Sequence, residues 1–220
     1  MHKQITVSKN VNLSQQAYES IKYMIKYGDL KQGDIVSVSG MAEALNISRT
    51  PVTLACQRLE QERLLTIKPK QGVVINTIAI DDAREIYELR AAIESYSAKL
   101  AFPRIGPSDI SYLQDCLERQ CAAMEGNDIY AFMEEDTEFH KYLLSCYENA
   151  HFSDLIEPLI DRAFMIGVKN SSYPVRLRES IQEHKDIIAA LKHGDRDAFI
   201  QGVEQNLING YITLTGHYGQ

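Results

Sequence analysis

The sequence lacks the features that mark membrane and secreted proteins. No apolar stretch reaches the length of about eighteen residues that a membrane-spanning helix needs. The first residues, MHKQITVSKNVNLSQQ, contain no apolar core of a signal peptide. Paired CxxC spacing is also absent, so the cysteines favour reduced thiols over a disulfide framework or a cysteine zinc site. The four cysteines are Cys56, Cys116, Cys121 and Cys146. Together, these absences predict a cytoplasmic protein with no membrane partner.

Charge is distributed unevenly along the chain. The net charge of −7 would disfavour DNA binding if it were spread evenly. Residues 1–77, however, contain ten Lys or Arg and six Asp or Glu, a net charge of +4. Residues 78–220 contain thirteen basic and twenty-four acidic residues, a net charge of −11. A basic segment followed by an acidic one predicts two domains, 1–77 and 78–220, with different partners.

The basic segment has the element order of a winged helix-turn-helix. Apolar periodicity predicts helices over 14–27, 40–45 and 49–62, with a turn-rich break after the first. Two β-branched apolar stretches then flank Pro69-Lys70-Gln71-Gly72, which is typical of a hairpin. Helix, helix, turn, helix and hairpin is the winged helix-turn-helix order.

The acidic segment carries helical patterns only. Proline, glycine and asparagine separate these patterns at short intervals, which is typical of an antiparallel helical bundle. The predicted fold is therefore mainly α, an N-terminal winged helix-turn-helix followed by an all-helical bundle. The predicted helices cover 81–101, 107–125, 128–146, 150–169, 175–193 and 195–213.

The helix over 49–62 has the pattern of a DNA recognition helix. Pro51 fits a first helical turn, and Ser48 or Thr50 before it can cap free N–H groups or bind phosphate oxygens. The spacing of Val52, Ala55, Cys56 and Leu59 places these four on the inner face. The outer face then presents residues suited to base contacts, namely Arg49, Thr53 and Gln57. We expect the wing to contact the DNA backbone or minor groove through Lys68, Lys70, Gln71 and Gly72. A solvent-exposed amphipathic helix with an ordinary cap is the alternative.

Residues 27–75 resemble the DNA-binding domain of the GntR superfamily of bacterial transcription regulators. The resemblance rests on the Gly28-Asp29-Leu30 turn, AEALNISRTPV, RLEQERLL and the glycine-bearing wing. Two departures stand out, because many members have Glu-Arg at Val38-Ser39 and Arg-Glu at Thr53-Leu54, with both arginines near DNA. Arg49 and Arg58 remain as DNA-binding candidates. The resemblance implies the same groove placement, with a shallower dependence of binding on salt.

Polar residues interrupt the apolar stripes of four predicted bundle helices. Asp136 and His140, four residues apart on one helix, can reach a single ion. Isolated buried charges are costly unless they are paired or bind a metal. Each residue taken alone fits a hydrogen-bonded core position, and Arg90 with Asp136 fits a buried ion pair. The residues concerned are Arg90, Asp136, His140, His184 and Asn206.

The bundle resembles the effector domain of the FadR branch, the FCD type. EIYELRAAIESYSAKLA, DTEFHKYLL and SIQEHKDIIAALKHGDRDAF carry the resemblance. Many such domains bind zinc, nickel or manganese through an Asp and three His, and hold a small carboxylate effector on the metal with help from an arginine. The resemblance implies Asp136, His140 and His184 as metal ligands and Arg90 as that arginine.

Asn206 stands where the third histidine is expected. An amide oxygen is a weaker ligand than imidazole, so two arrangements stay open. Either three protein ligands and water hold the metal, or the site holds none and Asn206 bonds the effector directly. We expect Glu135, Glu138 and Glu183 to point away from this pocket. The remaining histidines, which we expect at the surface, are His2, His151, His193 and His217.

The resemblance implies a homodimeric transcription regulator, a repressor that binds operator DNA and responds to a small organic acid. Two alternatives remain. The first is a regulator with a metal-free or vestigial pocket. The second is a metal-dependent enzyme, because two histidines and a carboxylate also form the triad of non-haem iron oxygenases. An enzyme is disfavoured, since neither His140 nor His184 belongs to an E-x-x-H pair, no nucleophile set accompanies the triad, and the DNA-binding segment would have no role.

Overall fold

The computed structural model describes residues 13–170 and 174–218. The chain divides into two compact units, Met1–Thr77 and Ile78–Gln220. Within the described residues, no helix combines the length and apolarity that crossing a bilayer requires.

The first unit contains three helices and a small sheet. The helices are α1 (Leu13–Lys26), α2 (Val38–Ala44) and α3 (Arg49–Gln61), close to the predicted bounds. The strands are β1 (Ile35–Val36), β2 (Leu65–Lys68) and β3 (Gly72–Ile75), all antiparallel and in the order β1-β3-β2. The hairpin is confirmed, whereas β1 is not visible in the sequence pattern, because two residues are too few to display an alternation.

The core of the first unit lies between α1 and α3. Ala17 and Ile21 of α1 are fully buried. The four predicted inner residues of α3, Val52, Ala55, Cys56 and Leu59, are also buried. This packing fixes which face of α3 remains open to a partner.

The second unit is a helical bundle, as the sequence predicts. Each predicted helix has a counterpart with similar bounds, and a 3-10 turn at Phe102–Arg104 follows the first. The cavity described below is lined by residues of five helices, α4 and α6 to α9. The bundle helices are α4 (Ile80–Ala101), α5 (Pro107–Glu125), α6 (Ile129–Ser145), α7 (Ala150–Asn170), α8 (Pro174–His193) and α9 (Arg196–Tyr218).

The buried face of α4 differs from the predicted stripe. Apolar periodicity along this helix, through Ile86, Leu89 and Ile93, predicts that Leu89 faces inward, but it is 48% exposed. The buried face instead includes Arg90, Glu94 and Ser97. A stripe defined only by apolar residues misplaces this face, because the interior of the bundle at this level is polar. Part of the apolar surface of α4 therefore lies outside.

Candidate functional site

The outer face of α3 presents the predicted base-reading residues. Arg49, Thr53 and Gln57 are all exposed, at four-residue spacing. The Thr53 hydroxyl donates to the backbone carbonyl of Arg49 at 2.9 Å. With its hydroxyl engaged, Thr53 offers chiefly its methyl group to a partner, which suits the methyl group of thymine.

The start of α3 leaves a hydroxyl unused. Ser48 occupies the N-cap position with extended backbone, but its side chain makes no capping hydrogen bond, so the capping expectation is wrong for this residue. Ser37, by contrast, caps α2 by accepting the Gly40 N–H at 2.9 Å. Pro51 is the third residue of α3 and has no N–H, which removes one of the two donors that an N-cap side chain normally accepts. The exposed Ser48 and Thr50 hydroxyls are therefore available to phosphate oxygens.

Arg58 is exposed, but its side chain is held against α1 by contacts within the first unit. Its Cζ lies 3.7 Å from the centroid of the Tyr18 ring. Its Nη1 donates to Gln15 Oε1 at 2.9 Å, and its Nε lies 3.4 Å from Glu62 Oε1. These contacts fasten α3 to α1, so we place Arg58 outside the proposed base-reading set. Its position four residues before Glu62 was the available signal in the sequence.

The wing tip is polar and exposed, with a structural glycine at its base. Lys68, Lys70 and Gln71 are exposed. Gly72 has φ +118°, and a Cβ at this position would lie 2.6 Å from the Val36 carbonyl oxygen. Gly72 is therefore needed for the close approach of β1 to β3, which accounts for it without a DNA contact.

The second unit contains a small cavity with both polar and apolar side chains in its wall, at the predicted effector and metal residues. Arg90, Asp136, His140 and Asn206 all form its wall. His184 is fully buried beside it, stacked on the Phe139 ring with centroids 4.0 Å apart. The fold thus brings together, from four helices, the residues that the sequence pattern grouped. Four of them are buried, and Asp136 is half-buried.

Asp136, His140 and His184 form a cluster of metal-ligand type. One potential ligand atom from each residue lies within 4.8 Å of the others. His184 Nε2 is 3.8 Å from Asp136 Oδ1. It is also buried without a hydrogen-bond partner among the described residues. A buried, unpartnered imidazole nitrogen beside a carboxylate fits a divalent cation.

Gln120 of α5 fixes the orientation of this cluster. His184 Nδ1 lies 2.9 Å from Gln120 Oε1, and Gln120 Nε2 donates to Asp136 Oδ1 at 3.1 Å. Burial lowers the pKa of His184 to about 3, against the opposing effect of Asp136. The neutral ring then donates through Nδ1 and leaves the lone pair of Nε2 for a ligand. Sequence reasoning missed Gln120, because a glutamine on a helix carries no distinctive signal.

Glu94 is the second residue that sequence reasoning missed. It lies between Arg90 and His140: Arg90 Nε donates to Glu94 Oε1 at 2.7 Å, and His140 Nδ1 is 2.8 Å from Glu94 Oε2. Burial raises the pKa of Glu94, but Arg90 and His140 outweigh it and bring the pKa to about 2. The hydrogen-bonded partner of Arg90 is therefore Glu94 rather than Asp136. A carboxylate on Nδ1 leaves His140 Nε2 as the ligand atom.

Glu183 does not line the cavity, but its carboxylate binds residues that do. Its carboxylate accepts from Asn206 Nδ2 at 2.7 Å and from Asn209 Nδ2 at 2.8 Å. It also accepts both terminal nitrogens of Arg176, at 3.0 and 2.7 Å. Glu183 thus holds the amide of Asn206, with Oδ1 left as its acceptor.

The other acidic residues and histidines follow the expectation as far as they are described. Glu135 binds Arg119 and Glu138 accepts from Tyr112, and neither glutamate lines the cavity. His151 and His193 are exposed. His2 and the side chain of His217 lie outside the described residues.

Comparison with known families assigns both units. Residues 13–75 match the sequence family of bacterial regulatory proteins, gntR family. Residues 85–207 match the FCD domain family. The chain is a GntR-family transcriptional regulator with an FCD domain. Its resemblance to this family is therefore confirmed.

Individual relatives agree with this membership. The HTH-type transcriptional repressor RspR of Escherichia coli (strain K12) is 29% identical over 210 residues, covering 92% of this chain and 91% of that protein. An uncharacterised HTH-type regulator, YdhC of Bacillus subtilis (strain 168), is 25% identical over 86% of this chain and 84% of its own. The structure of E. coli McbR/YncC superposes with a TM-score of 0.82 and 25% identity over 94% of this chain and 99% of that one. These proteins are transcriptional regulators, which excludes the oxygenase alternative.

Proposed function

We propose that this GntR-family regulator is a cytoplasmic repressor whose binding to operator DNA is controlled by a small organic acid in the FCD cavity. Repression is the role named for RspR of E. coli and for the gluconate operon repressor of B. subtilis. The observation that carries the effector part is His184 Nε2, buried and unpartnered within the described residues in a cluster beside Arg90.

DNA recognition is assigned to α3 and the wing. Arg49, Thr53 and Gln57 would meet base edges in the major groove, and Ser48 and Thr50 would bind phosphates at the helix start. Lys68, Lys70 and Gln71 would contact the backbone near the wing. Their exposure supports this assignment, as does the burial of the opposite face of α3.

The metal site is assigned to Asp136, His140 and His184. Zinc, nickel or manganese fits the donor set of one carboxylate and two imidazoles, and would supply a positive anchor for an effector carboxylate. Gln120 orients Asp136 and His184, and Glu94 orients His140. Asn206 would contribute its Oδ1 to the effector or to a metal-bound water.

Arg90 is assigned to the effector carboxylate. Its Nε is engaged by Glu94, whereas its terminal nitrogens make no hydrogen bond to a described residue. A guanidinium oriented in this way can bind a carboxylate with the nitrogens that remain. An acid that contacts Arg90 and the metal group would then bias the protein toward one conformation, provided that its affinity for that conformation is higher.

The proposal includes a homodimer, which would place two copies of α3 in successive major grooves. Large apolar side chains on the outside of the bundle support self-association. Leu89 and Tyr96 of α4 and Leu155 of α7 are 48%, 53% and 63% exposed. The Tyr96 ring contacts Phe152 of α7 at a centroid distance of 6.2 Å, which joins the two helices into one surface.

The test combines DNA selection with metal analysis. Full-length protein selects a sequence from random duplex DNA. Fluorescence anisotropy then measures whether metal ions and small acids release the protein from that DNA. Elemental analysis of untagged protein, with His140→Ala as the control, measures the metal. Selective DNA binding that an acid releases is expected, with near-stoichiometric metal that the variant loses. DNA binding that no acid or metal changes would support the alternative of a vestigial pocket.

A further inference from the structure

The cavity is lined by a second arginine that the metal and effector assignment does not use. Arg176 of α8 is 8% exposed and forms part of the same wall as Arg90 of α4. A buried guanidinium is costly, so it is kept only where it has partners or a ligand. Arg176 therefore needs an explanation of its own.

Glu183 explains the charge of Arg176 but does not use all of its donors. The two terminal nitrogens bind the two oxygens of Glu183 at 3.0 and 2.7 Å. Nη2 also lies 3.5 Å from the backbone carbonyl oxygen of Asn206. A guanidinium has five N–H donors, so two remain, one of them on Nη1, which also lies 3.7 Å from Glu179 Oε2. Glu183 thus holds Arg176 in a fixed position on the cavity wall, with donors left for an acceptor.

The Tyr87 hydroxyl provides a second, independent observation. Tyr87 lines the same cavity and is 7% exposed, yet its hydroxyl makes no hydrogen bond to any described residue. Burial raises its pKa, Arg90 and Arg176 lower it, and Asp136 and Glu94 raise it. The Arg90 Cζ lies 5.7 Å from the centroid of the Tyr87 ring. A hydroxyl on the cavity wall that no described residue engages is available to donate to a ligand group in the cavity.

One face of α8 connects this region to the metal cluster. Arg176, Ser180 and His184 follow one another at four-residue spacing, so successive residues lie about 6 Å apart along the helix axis. Ser180 Oγ donates to Asp136 Oδ1 at 3.1 Å. A ligand held at the metal cluster by one end can therefore extend past Ser180 toward Arg176.

We propose that Arg176 and Tyr87 bind a second anionic group of the effector, which makes the effector a small dicarboxylate rather than a monocarboxylate. One carboxylate occupies the region of Arg90 and the metal cluster, and the other accepts hydrogen bonds from Arg176 and Tyr87. The proposal rests on the proposed function, because it requires the same cavity to bind an acid.

The test compares matched acids by isothermal titration calorimetry on full-length, zinc-supplemented protein. Malonate, succinate and glutarate are paired with propionate, butyrate and pentanoate, which have the same chain lengths and one carboxylate fewer. The wild type should bind its preferred dicarboxylate about tenfold or more tightly than the matched monocarboxylate, because charge-assisted hydrogen bonds are strong. Arg176→Gln should bring this ratio close to one. Arg178→Gln, an exposed arginine on the same helix, should leave the ratio unchanged.

The outcomes separate this inference from the function on which it rests. Equal affinity of the wild type for both members of every pair would overturn the dicarboxylate alone, as would a ratio that survives Arg176→Gln. Failure of all six acids to bind would overturn the effector-controlled function and this inference together. If Arg176→Gln unfolds, Arg176→Lys keeps the charge but loses the two-pronged contact, and should reduce the ratio partially. The ratio of dicarboxylate to monocarboxylate affinity in the wild type tests the inference even if no variant folds.

Discussion

Glu94 Oε2 lies 2.8 Å from His140 Nδ1, while Glu94 Oε1 accepts Arg90 Nε at 2.7 Å. One buried carboxylate thus orients a proposed metal ligand and the proposed effector arginine at the same time. A carboxylate behind a metal-bound histidine fixes the ring and raises its basicity. Metal affinity and the position of Arg90 should therefore both depend on Glu94.

We expect Glu94→Gln to weaken metal binding by about tenfold to a hundredfold, because the carboxylate on Nδ1 is lost. The variant should also lower the free energy of unfolding by about 3 to 5 kcal/mol, since Arg90 would be left buried without its counter-charge. Chelator competition measures the first effect, and denaturant unfolding the second. Glu88→Gln changes an exposed glutamate of the same helix and is the matched control. Unchanged zinc affinity in Glu94→Gln would contradict the orienting role.

Replacing His184 by Ala should abolish stoichiometric metal binding, because the cluster would keep only two ligands. His184→Ala also opens space under Phe139, so thermal unfolding must accompany elemental analysis to establish that the variant folds. His151→Ala removes an exposed histidine outside the cluster and should retain the metal. Metal retained equally by both folded variants would place the site elsewhere.

Replacement by Ala should affect DNA binding at Arg49 and protein stability at Arg58. Arg49→Ala should weaken binding to the selected operator by about tenfold or more, with little change in stability. Arg58→Ala should lower the stability of the first unit by about 1 kcal/mol, because the guanidinium packs on Tyr18, and should leave base preference unchanged. Anisotropy with the operator and with single-base variants measures both effects. Loss of base preference in Arg58→Ala would return this residue to the recognition surface.

Gly72→Ala should destabilise the wing by about 2 kcal/mol or more. The added Cβ would meet the Val36 carbonyl oxygen at 2.6 Å, in addition to the cost of φ +118°. Gly194→Ala is the control, because Gly194 also has positive φ, +68°, but no atom lies within 4 Å of the added Cβ. Thermal unfolding followed by circular dichroism compares the two variants. Equal shifts in their midpoints would mean that backbone conformation alone determines the cost.

The helices could be predicted from the sequence because their causes are local. Pro51 near the start of α3 and the apolar spacing after it determine a helix and its inner face within a few residues. The hairpin of β2 and β3 follows in the same way from β-branched stretches around Pro69 and Gly72. β1 has no such signal, since a two-residue strand forms only because β3 offers its edge.

The site could be predicted only in part. Asp136 and His140 share one helix face, so their proximity follows from periodicity. Periodicity also predicted that His184 faces inward, and the family resemblance added its role as a ligand. Gln120, Glu94 and Arg176 could not be found in this way. Each is an ordinary polar residue of a helix whose role depends on neighbours from other helices.

The sequence by itself determined the order of the elements, the two-part charge distribution and the chemical character of α3, the proposed recognition helix, because local backbone preferences and side-chain periodicity act over a few residues. The tertiary structure decided which charges are paired. Arg90 pairs with Glu94, Arg176 pairs with Glu183, and Arg58 contacts α1. His184 Nε2 has no partner among the described residues. Burial makes an unpaired charge costly, so the partner of a buried charge depends on which helices pack together, and spacing along one helix does not contain that information.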